Sequence, residues 1–231
     1  MKSVFLAPGR ILTLLLFTMC FSVVAYGQSG SDEDPRLINF FELSVDPVNP
    51  IYSFGERLDK NLLGFSLAYL RQRKKTRLDY FGAQLSYTHV GSISASFFDA
   101  DIRTSTELIN LKFLYRYFPD FFFWRIEPFV ELGFGPQVIY TLTTNTFFLD
   151  DTTTLVFEES DFGLAYHVGV GFTTHIAGQV FFLSKFNFNG GTSMSYSVPG
   201  EYDSGLPIDN FFSETSSINY INWQLGLTIS F

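Results

Sequence analysis

The chain has few of the features that mark a disulfide-stabilised secreted domain or a helical membrane protein. Its 231 residues include one cysteine, Cys20, so no disulfide can form within the chain. No stretch after Gln28 approaches the roughly 18 consecutive apolar residues of a transmembrane helix. Positive charge is also scarce, with 15 Lys and Arg against 23 Asp and Glu and a net charge of −8. This balance argues against nucleic acid as a partner.

The N-terminus has the layout of a secretory signal peptide. Lys2 and Arg10 precede an apolar run over Ile11–Val24, and Ala25-Tyr26-Gly27 provides small residues for cleavage before Gln28. We expect residues 1–27 to be removed on export and residues 28–36 to form a short lead. Because Met19 rather than a small residue precedes Cys20, lipid attachment at this cysteine is disfavoured.

Aromatic side chains are abundant, with 29 Phe and 12 Tyr making up most of a 19% aromatic content. Apolar residues alternate with polar or small ones, which is the period of a β-strand. In the last eleven residues, INWQLGLTISF, every odd position is large and apolar. The alternation predicts eight strands: 37–45, 62–71, 80–92, 106–118, 125–143, 162–176, 179–189 and 218–231.

The predicted connections alternate in length. Long loops are expected over 46–61, 93–105, 144–161 and 190–217, and shorter turns over 72–79, 119–124 and 177–178. This alternation is typical of an up-and-down barrel whose two ends face different compartments. The predicted fold class is therefore all-β: an eight-stranded antiparallel up-and-down transmembrane β-barrel over residues 37–231.

The side chains on the polar face of each strand are small, and few of them are charged, which indicates that this face lines the lumen. In the sixth strand Gly163, Ala165 and Gly169 alternate with Phe162, Leu164 and Val168. A water-facing exterior would be rich in charge, whereas the lumen of an eight-stranded barrel has room only for modest side chains. The apolar face is then left for lipid, as in other closed barrels that span a bilayer.

Seven charged residues occupy the alternate strand positions that face the lumen, hereafter the inward phase. A cation on the lipid face near the bilayer midplane would cost roughly 2–4 kcal/mol, so we interpret these residues as a salt-bridge network within the lumen. A charge-lined transport pore is the alternative. The seven residues are Glu42, Lys112, Arg116, Arg125, Glu127, Glu131 and Lys185.

The C-terminal strand resembles a known recognition signal. In small bacterial outer-membrane β-barrels of the OmpA-transmembrane, OmpX/OmpW and PorT-like kind, alternating hydrophobic residues end in an aromatic one, and the assembly machinery reads this ending. The resemblance implies a barrel inserted into the outer membrane, with short turns in the periplasm. The matching residues here are Trp223, Leu225, Leu227, Ile229 and Phe231.

A basic turn is expected between the second and third strands, with five cations in seven positions. It could touch anionic lipid head groups or a periplasmic protein, or be only a solvated turn. The five residues are Arg71, Arg73, Lys74, Lys75 and Arg77.

His89 raises the question of an enzyme, since some eight-stranded barrels modify lipid A. His89 is followed by Val90 and Gly91, without the His-x-Ser pairing of the lipid A deacylases. The acidic loops around Asp150 and Glu201 could bind Ca²⁺, but no EF-hand spacing is present. We expect no catalytic residue, no metal and no cofactor.

The leading functional prediction is a structural or interaction protein that acts through its extracellular loops or the basic turn. The expected partners are outer-membrane lipid and lipopolysaccharide, the barrel-assembly machinery during insertion, and a protein in a membrane complex. A narrow channel for small solutes is the first alternative. A lipid A-modifying enzyme is the second.

Overall fold

The computed structural model describes residues 38–56, 58, 61–74, 78–97, 100–120, 125–147, 152–201, 203 and 205–231. Residues 1–36, where the signal peptide and the lead are predicted, lie outside this set. No helix in the described ranges is long and apolar enough to cross a membrane. The strands are β1 (Asn39–Pro50), β2 (Leu62–Gln72), β3 (Asp79–Ser96), β4 (Ala100–Tyr117), β5 (Ile126–Phe147), β6 (Thr152–Ala177), β7 (Val180–Gly191), β8 (Ser193–Pro199), β9 (Phe211–Ser217) and β10 (Tyr220–Ser230).

Eight of these strands form a closed antiparallel barrel in the order β1-β10-β7-β6-β5-β4-β3-β2. The first strand closes the ring, because Leu43 lies opposite Leu67 of β2 on one side and Leu227 of β10 on the other. Each barrel strand therefore has a partner on both sides, as a sheet in lipid requires. The predicted fold class is confirmed.

Side chains alternate between the lumen and the outside along each strand. On β4, Arg116 and Asn110 are fully buried, whereas Phe113 is 67% exposed. On β6, Ala165 and His167 are buried and Val168 and Val170 are exposed. The exposed apolar residues form a band around the barrel, so the polar face points inwards and the apolar face outwards, as the sequence predicts.

Four strands continue beyond the barrel, which corrects two of the predicted loops. Residues 93–105 belong mostly to β3 and β4, and residues 144–161 mostly to β5 and β6. These segments lack a strong apolar alternation because neither face contacts lipid. The second segment, 144–161, is rich in β-branched threonine, which favours strands. Lumen-side threonines pair across the strands, with 2.9 Å between the hydroxyls of Thr104 and Thr143 and 2.8 Å between those of Thr106 and Thr141.

The predicted long loop over 190–217 contains a hairpin of β8 and β9, with a 3₁₀ turn at Pro207–Asn210 before β9. The hairpin lies against the lumen face of the projecting sheet. Thr106 donates its hydroxyl proton to the carbonyl of Ser197 at 2.7 Å. Gly91 allows close approach, since a Cβ there would stand 2.6 Å from Cγ of Pro199. The connection between β1 and β2 carries a short helix, α1 (Tyr52–Gly55).

Asp161 holds the hairpin to the projecting part of β6. Its carboxylate accepts the backbone N–H of Ser195 at 2.7 Å and that of Phe162 at 2.7 Å. These two donors lower the pKa of Asp161 below its usual 3.8. The contribution of Asp161 to hairpin docking is therefore complete at neutral pH and is lost as the pH falls through the lowered pKa.

We predict that Asp161→Ala loosens the hairpin without opening the barrel, because the Ser195 amide loses its acceptor. Hydrogen exchange at pH 7 should become several-fold faster over Ser193–Ser217, since the hairpin opens more often once this hydrogen bond is lost. The control is Glu158→Ala, at an exposed position of the same strand. Unchanged exchange over the hairpin in Asp161→Ala would contradict this assignment.

Candidate functional site

The middle of the lumen contains a fully buried cluster of charged side chains, hereafter the ion cluster: Glu42, Arg116, Glu131, His167 and Lys185. Arg116 donates to both carboxylate oxygens of Glu42, at 2.5 Å from Nη1 and 2.8 Å from Nη2. Its Nε donates to Oε2 of Glu131 at 2.7 Å. Lys185 donates to Oε1 of Glu131 at 2.5 Å.

Strand register brings these residues together. Arg116 and Glu131 are direct neighbours on β4 and β5, whereas Glu42 and Lys185 reach them from β1 and β7. The guanidinium plane also lies over the ring of Phe129, with Cζ 4.0 Å from the ring centroid. Arginine suits this position because its planar fork can bind two carboxylates and stack on an aromatic ring at once.

His167 is the member of the ion cluster that was not predicted from the sequence. Its Nε2 lies 3.1 Å from Oε1 of Glu131. Gly133 stands opposite His167 on β5, and a Cβ at Gly133 would collide with the imidazole ring. The inward phase of His167 was visible in the sequence, but its contact with Glu131 depends on a register that the sequence does not give.

Lys112 lies outside the ion cluster. It belongs to a neighbouring group of buried polar side chains, hereafter the polar layer, which includes Asp46, Asn189 and Gln224. Its ammonium donates to Oδ1 of Asn189 at 2.6 Å. In the same layer, Asp46 accepts the hydroxyl of Ser44 at 2.8 Å, the hydroxyl of Ser66, and Nε2 of Gln224 at 2.9 Å. The buried carboxylates Glu42, Asp46 and Glu131 thus face the buried cations Lys112, Arg116 and Lys185, so the centre of the lumen is balanced in charge.

The two remaining residues of the predicted network do not join the ion cluster. Arg125 is exposed and precedes β5, so it lies beyond the end of the lumen. Glu127 is also at an inward-facing position but lies at the short-turn end. Its one hydrogen bond among the described residues is a 3.5 Å contact from the hydroxyl of Thr173. A shared phase fixes the side of the sheet on which a residue lies, and its height along the barrel decides which partners it reaches.

The lumen is filled at four levels, of which the ion cluster is one. Between Lys112 and Asn222 the polar layer encloses a cavity of about 10 Å³, which is close to the space of a single water molecule. Below the ion cluster, Phe40, Tyr80, Phe118 and Phe129 form a lower aromatic layer. Above the polar layer, the hairpin and α1 complete an upper apolar layer, whose central members are Phe54, Leu108, Ile139, Met194, Tyr196 and Val198.

The residues of the C-terminal signal all lie on the outward face of β10 or follow it. Trp223, Leu227 and Phe231 are exposed, and Leu225 and Ile229 are half-buried. Recognition of this strand by an assembly machinery stays a prediction.

The basic turn is described only in part. Arg71, Arg73 and Lys74 are exposed, whereas Lys75 and Arg77 lie outside the described residues. Arg73 is 3.7 Å from the carboxylate of Asp79, and its guanidinium lies 5.8 Å from the ring centroid of Phe81.

His89 pairs with an acid on the outside of the barrel. Its Nδ1 is 3.0 Å from Oε1 of Glu107, and the hydroxyl of Tyr87 donates to Oε2 of Glu107 at 2.6 Å. In the part of the chain that the structure describes, no hydrogen bond joins His89 to a serine. His175 contacts the carbonyl of Gly178 at 3.0 Å in an exposed turn. His175 falls at an inward-facing position of β6, as His167 does, but it is paired near the short-turn end of the barrel, where its side chain is exposed and outside the filled lumen.

Within the described ranges, no group of three or more His, Cys, Asp or Glu side chains is placed to hold a metal ion. The acidic segment 148–151 lies outside those ranges. The expectations of no metal and no cofactor stay predictions.

Comparison with known proteins gives matches in structure only. No family model matches the chain, and no curated protein sequence matches it. A major outer membrane protein from Thermus thermophilus is similar with a TM-score of 0.51 at 10% identity, over 85% of this chain and 100% of that one. OprG from Pseudomonas aeruginosa gives 0.45 at 13% identity over 84% and 96%. Ail of Yersinia pestis, in complex with the heparin analogue sucrose octasulfate, gives 0.44 at 14% over 85% and 100%.

The likeness to the Thermus protein agrees with the fold described above. The chain has the fold of the small outer-membrane β-barrels, and the predicted resemblance in fold is confirmed. The apolar band around the barrel requires lipid, so the predicted location in an outer membrane agrees with this fold.

We predict that Glu131→Gln destabilises the barrel by about 3–5 kcal/mol, because it removes the only ion-pair partner that Lys185 has among the described residues. Urea unfolding of the protein refolded in lipid vesicles, followed by gel mobility, measures this loss. Asp101→Asn, which neutralises an exposed carboxylate of β4, should leave the midpoint unchanged.

The double variant Glu131→Gln with Lys185→Met tests the cause of that loss. In Glu131→Gln the ammonium of Lys185 is left buried without an ion-pair partner among the described residues. Methionine at position 185 removes this charge and has a similar side-chain volume, so the double variant should be more stable than Glu131→Gln alone. A sum of two independent losses would show that the two residues act separately.

Proposed function

We propose that the protein is a sealed outer-membrane barrel that binds another protein through the sheet it projects beyond the membrane. The observation that supports this most directly is the free edge of β6. Its pairing with β7 ends at Ala165 and Gly191, whereas its pairing with β5 continues to Thr152 and Phe147. The hairpin contacts Glu159 and Asp161. In the described part of the chain, residues 152–158 of β6 therefore have a strand partner on one side only and no cover on the other.

This edge is unusual for a protein surface. Every residue of Thr152–Glu158 is exposed, including Leu155 at 63% and Phe157 at 72%. Long exposed edges with apolar side chains are templates for pairing with another chain, and proteins commonly blunt them with lysine, proline or a covering element. The segment TTTLVFEE contains neither lysine nor proline.

The partner expected at this edge is an extended polypeptide segment that adds as a further strand. Main-chain hydrogen bonds would provide affinity, and Leu155 and Phe157 would contact side chains of the added strand. The pairing of β5 with β6 shifts register between Thr141 and Leu142. Such a bulge bends the strand, so residues 152–157 of β6 are expected to turn away from the direction of the rest of β6.

The other expected partners would contact the outer surface of the barrel. Outer-membrane lipid and lipopolysaccharide would cover the apolar band, and the assembly machinery would meet the outward face of β10 during insertion. The basic turn is a weaker candidate for a protein or lipid contact, because Arg73 already contacts Asp79 and Phe81.

The lumen supports this proposal over a narrow channel. Four consecutive layers, the ion cluster among them, fill the lumen, and the cavity in the polar layer has the size of one water molecule. The contact of His89 with Glu107 in place of a serine likewise gives no support to acyl transfer.

We predict no current steps when the purified protein is reconstituted in planar bilayers. A variant in which a short Gly-Ser turn replaces residues 193–217 should also stay silent, because the ion cluster and the lower aromatic layer remain. A porin recorded in the same bilayers provides the positive control. Steps from the intact protein would favour the channel, and steps from the shortened variant alone would identify the hairpin as a gate.

We predict that a photo-cross-linking amino acid at Thr154 gives a discrete adduct in intact cells. The same amino acid at Thr146, on the neighbouring strand β5 with partners on both sides, should give none. Replacing both Leu155 and Phe157 with lysine should reduce the adduct about tenfold, because edge lysines oppose strand addition. Equal adducts at the two sites, or no adduct at Thr154, would contradict the proposed function.

A further inference from the structure

The short-turn end of the barrel opens into an aromatic bowl. It has a volume of about 240 Å³ and is lined by Phe40, Tyr80, Phe118, Pro128, Phe181 and Glu127, among others. Phe40 and Tyr80 stack with ring centroids 4.8 Å apart, and Phe118 meets Tyr80 edge to face at 5.4 Å. The lower aromatic layer thus forms the wall of this bowl and also separates it from the ion cluster above.

One charged group, Glu127, lies in the described lining, and it has no ion-pair partner within the described ranges. The nearby Arg116 is already bound by Glu42 and Glu131. Arg125, two residues before Glu127, is exposed and makes no ion pair with it. The 3.5 Å contact from Thr173 is a long hydrogen bond for a carboxylate. Glu127 therefore keeps most of its capacity to bind a cation.

The bowl combines π-faces with one uncompensated carboxylate. Aromatic faces attract cations through the ring quadrupole, and apolar walls favour a ligand whose charge is carried on an apolar stem. A lipid head group is a poor fit, because all the lining residues except Pro128 are inward-facing or lie outside the strands. Lysine and arginine side chains have the required stem and charge.

We propose that this bowl is a binding site for a basic side chain, lysine or arginine, of a polypeptide on the periplasmic side. The stem packs against the exposed sides of the rings of Tyr80 and Phe118, which contact each other, and the charged group lies beside Glu127. The site is at the opposite end of the barrel from the β6 edge, so it neither requires nor excludes the proposed extracellular partner.

The test uses the full-length protein in a maltoside detergent, because detergents with choline head groups carry a competing cation. The probes are the capped tripeptides Ac-Ala-Lys-Ala-NH₂, Ac-Ala-Arg-Ala-NH₂ and Ac-Ala-Nle-Ala-NH₂, the last keeping the stem without the charge. Ligand-observed NMR titration should detect binding of the lysine or arginine peptide, and at least about tenfold weaker binding of the norleucine peptide.

Two variants identify the site. Glu127→Gln should weaken binding of the basic peptide about tenfold, whereas Asp120→Asn, which removes an exposed charge at the same end, should not change it. Phe118→Leu should weaken binding about fivefold through loss of the π-face, with heat-modified gel mobility confirming that the barrel is folded. Equal binding of lysine and norleucine peptides, or no effect of Glu127→Gln, would overturn the proposal. Equal binding of free butylammonium would instead show a site for small cations, which also overturns it.

Discussion

The structure depends on the requirement that every backbone N–H and C=O group in lipid has a partner within the protein. Water is absent from the bilayer core, so a sheet can cross it only when its last strand pairs with its first. Here β1 meets this requirement by pairing with β2 and β10 at once, in the registers that set Leu43 beside Leu67 and Leu227. Closure then fixes two environments, because successive side chains of a strand point alternately to lipid and to the lumen.

Closure with eight strands also makes the lumen narrow, and this explains its chemistry. Side chains from opposite walls meet there, so a charged residue must find its counter-charge within the barrel. Arg116 meets this condition by binding Glu42 across the lumen and Glu131 on the neighbouring strand. Glycines make room where large groups converge, as Gly133 does beside the ring of His167. The ion cluster is therefore a consequence of putting polar residues on the inner face of a small barrel.

Much of the fold within the membrane could be predicted from the sequence, because lipid and lumen impose opposite demands on alternate residues. The eight barrel strands, the facing of each strand and the inward phase of Glu42, Arg116, Glu131 and Lys185 follow from this period of two. The periodic signal ends where lipid ends. Beyond that height both faces meet water or the hairpin, so threonine-rich strands around Thr104 and Thr143 have the composition of loops. The hairpin of β8 and β9 was not predicted for the same reason.

Height and register were the other quantities that could not be read from the sequence. Arg125 and Glu127 have the same phase as Glu131, yet they lie at or beyond the barrel end, while His167 reaches Glu131 from the next strand. Strand register decides which inward-facing residues lie at the same height in the lumen. The alternation along each strand is therefore compatible with a continuous charged pore and also with a stack of separate layers. The structure has separate layers, and the two barrel ends consequently differ in chemistry. Among the described residues, one end presents an unpaired strand edge with apolar side chains, and the other presents an aromatic wall with a carboxylate outside any ion pair. A barrel filled in this way would keep the two proposed recognition surfaces at opposite ends without connecting them by a path for solutes.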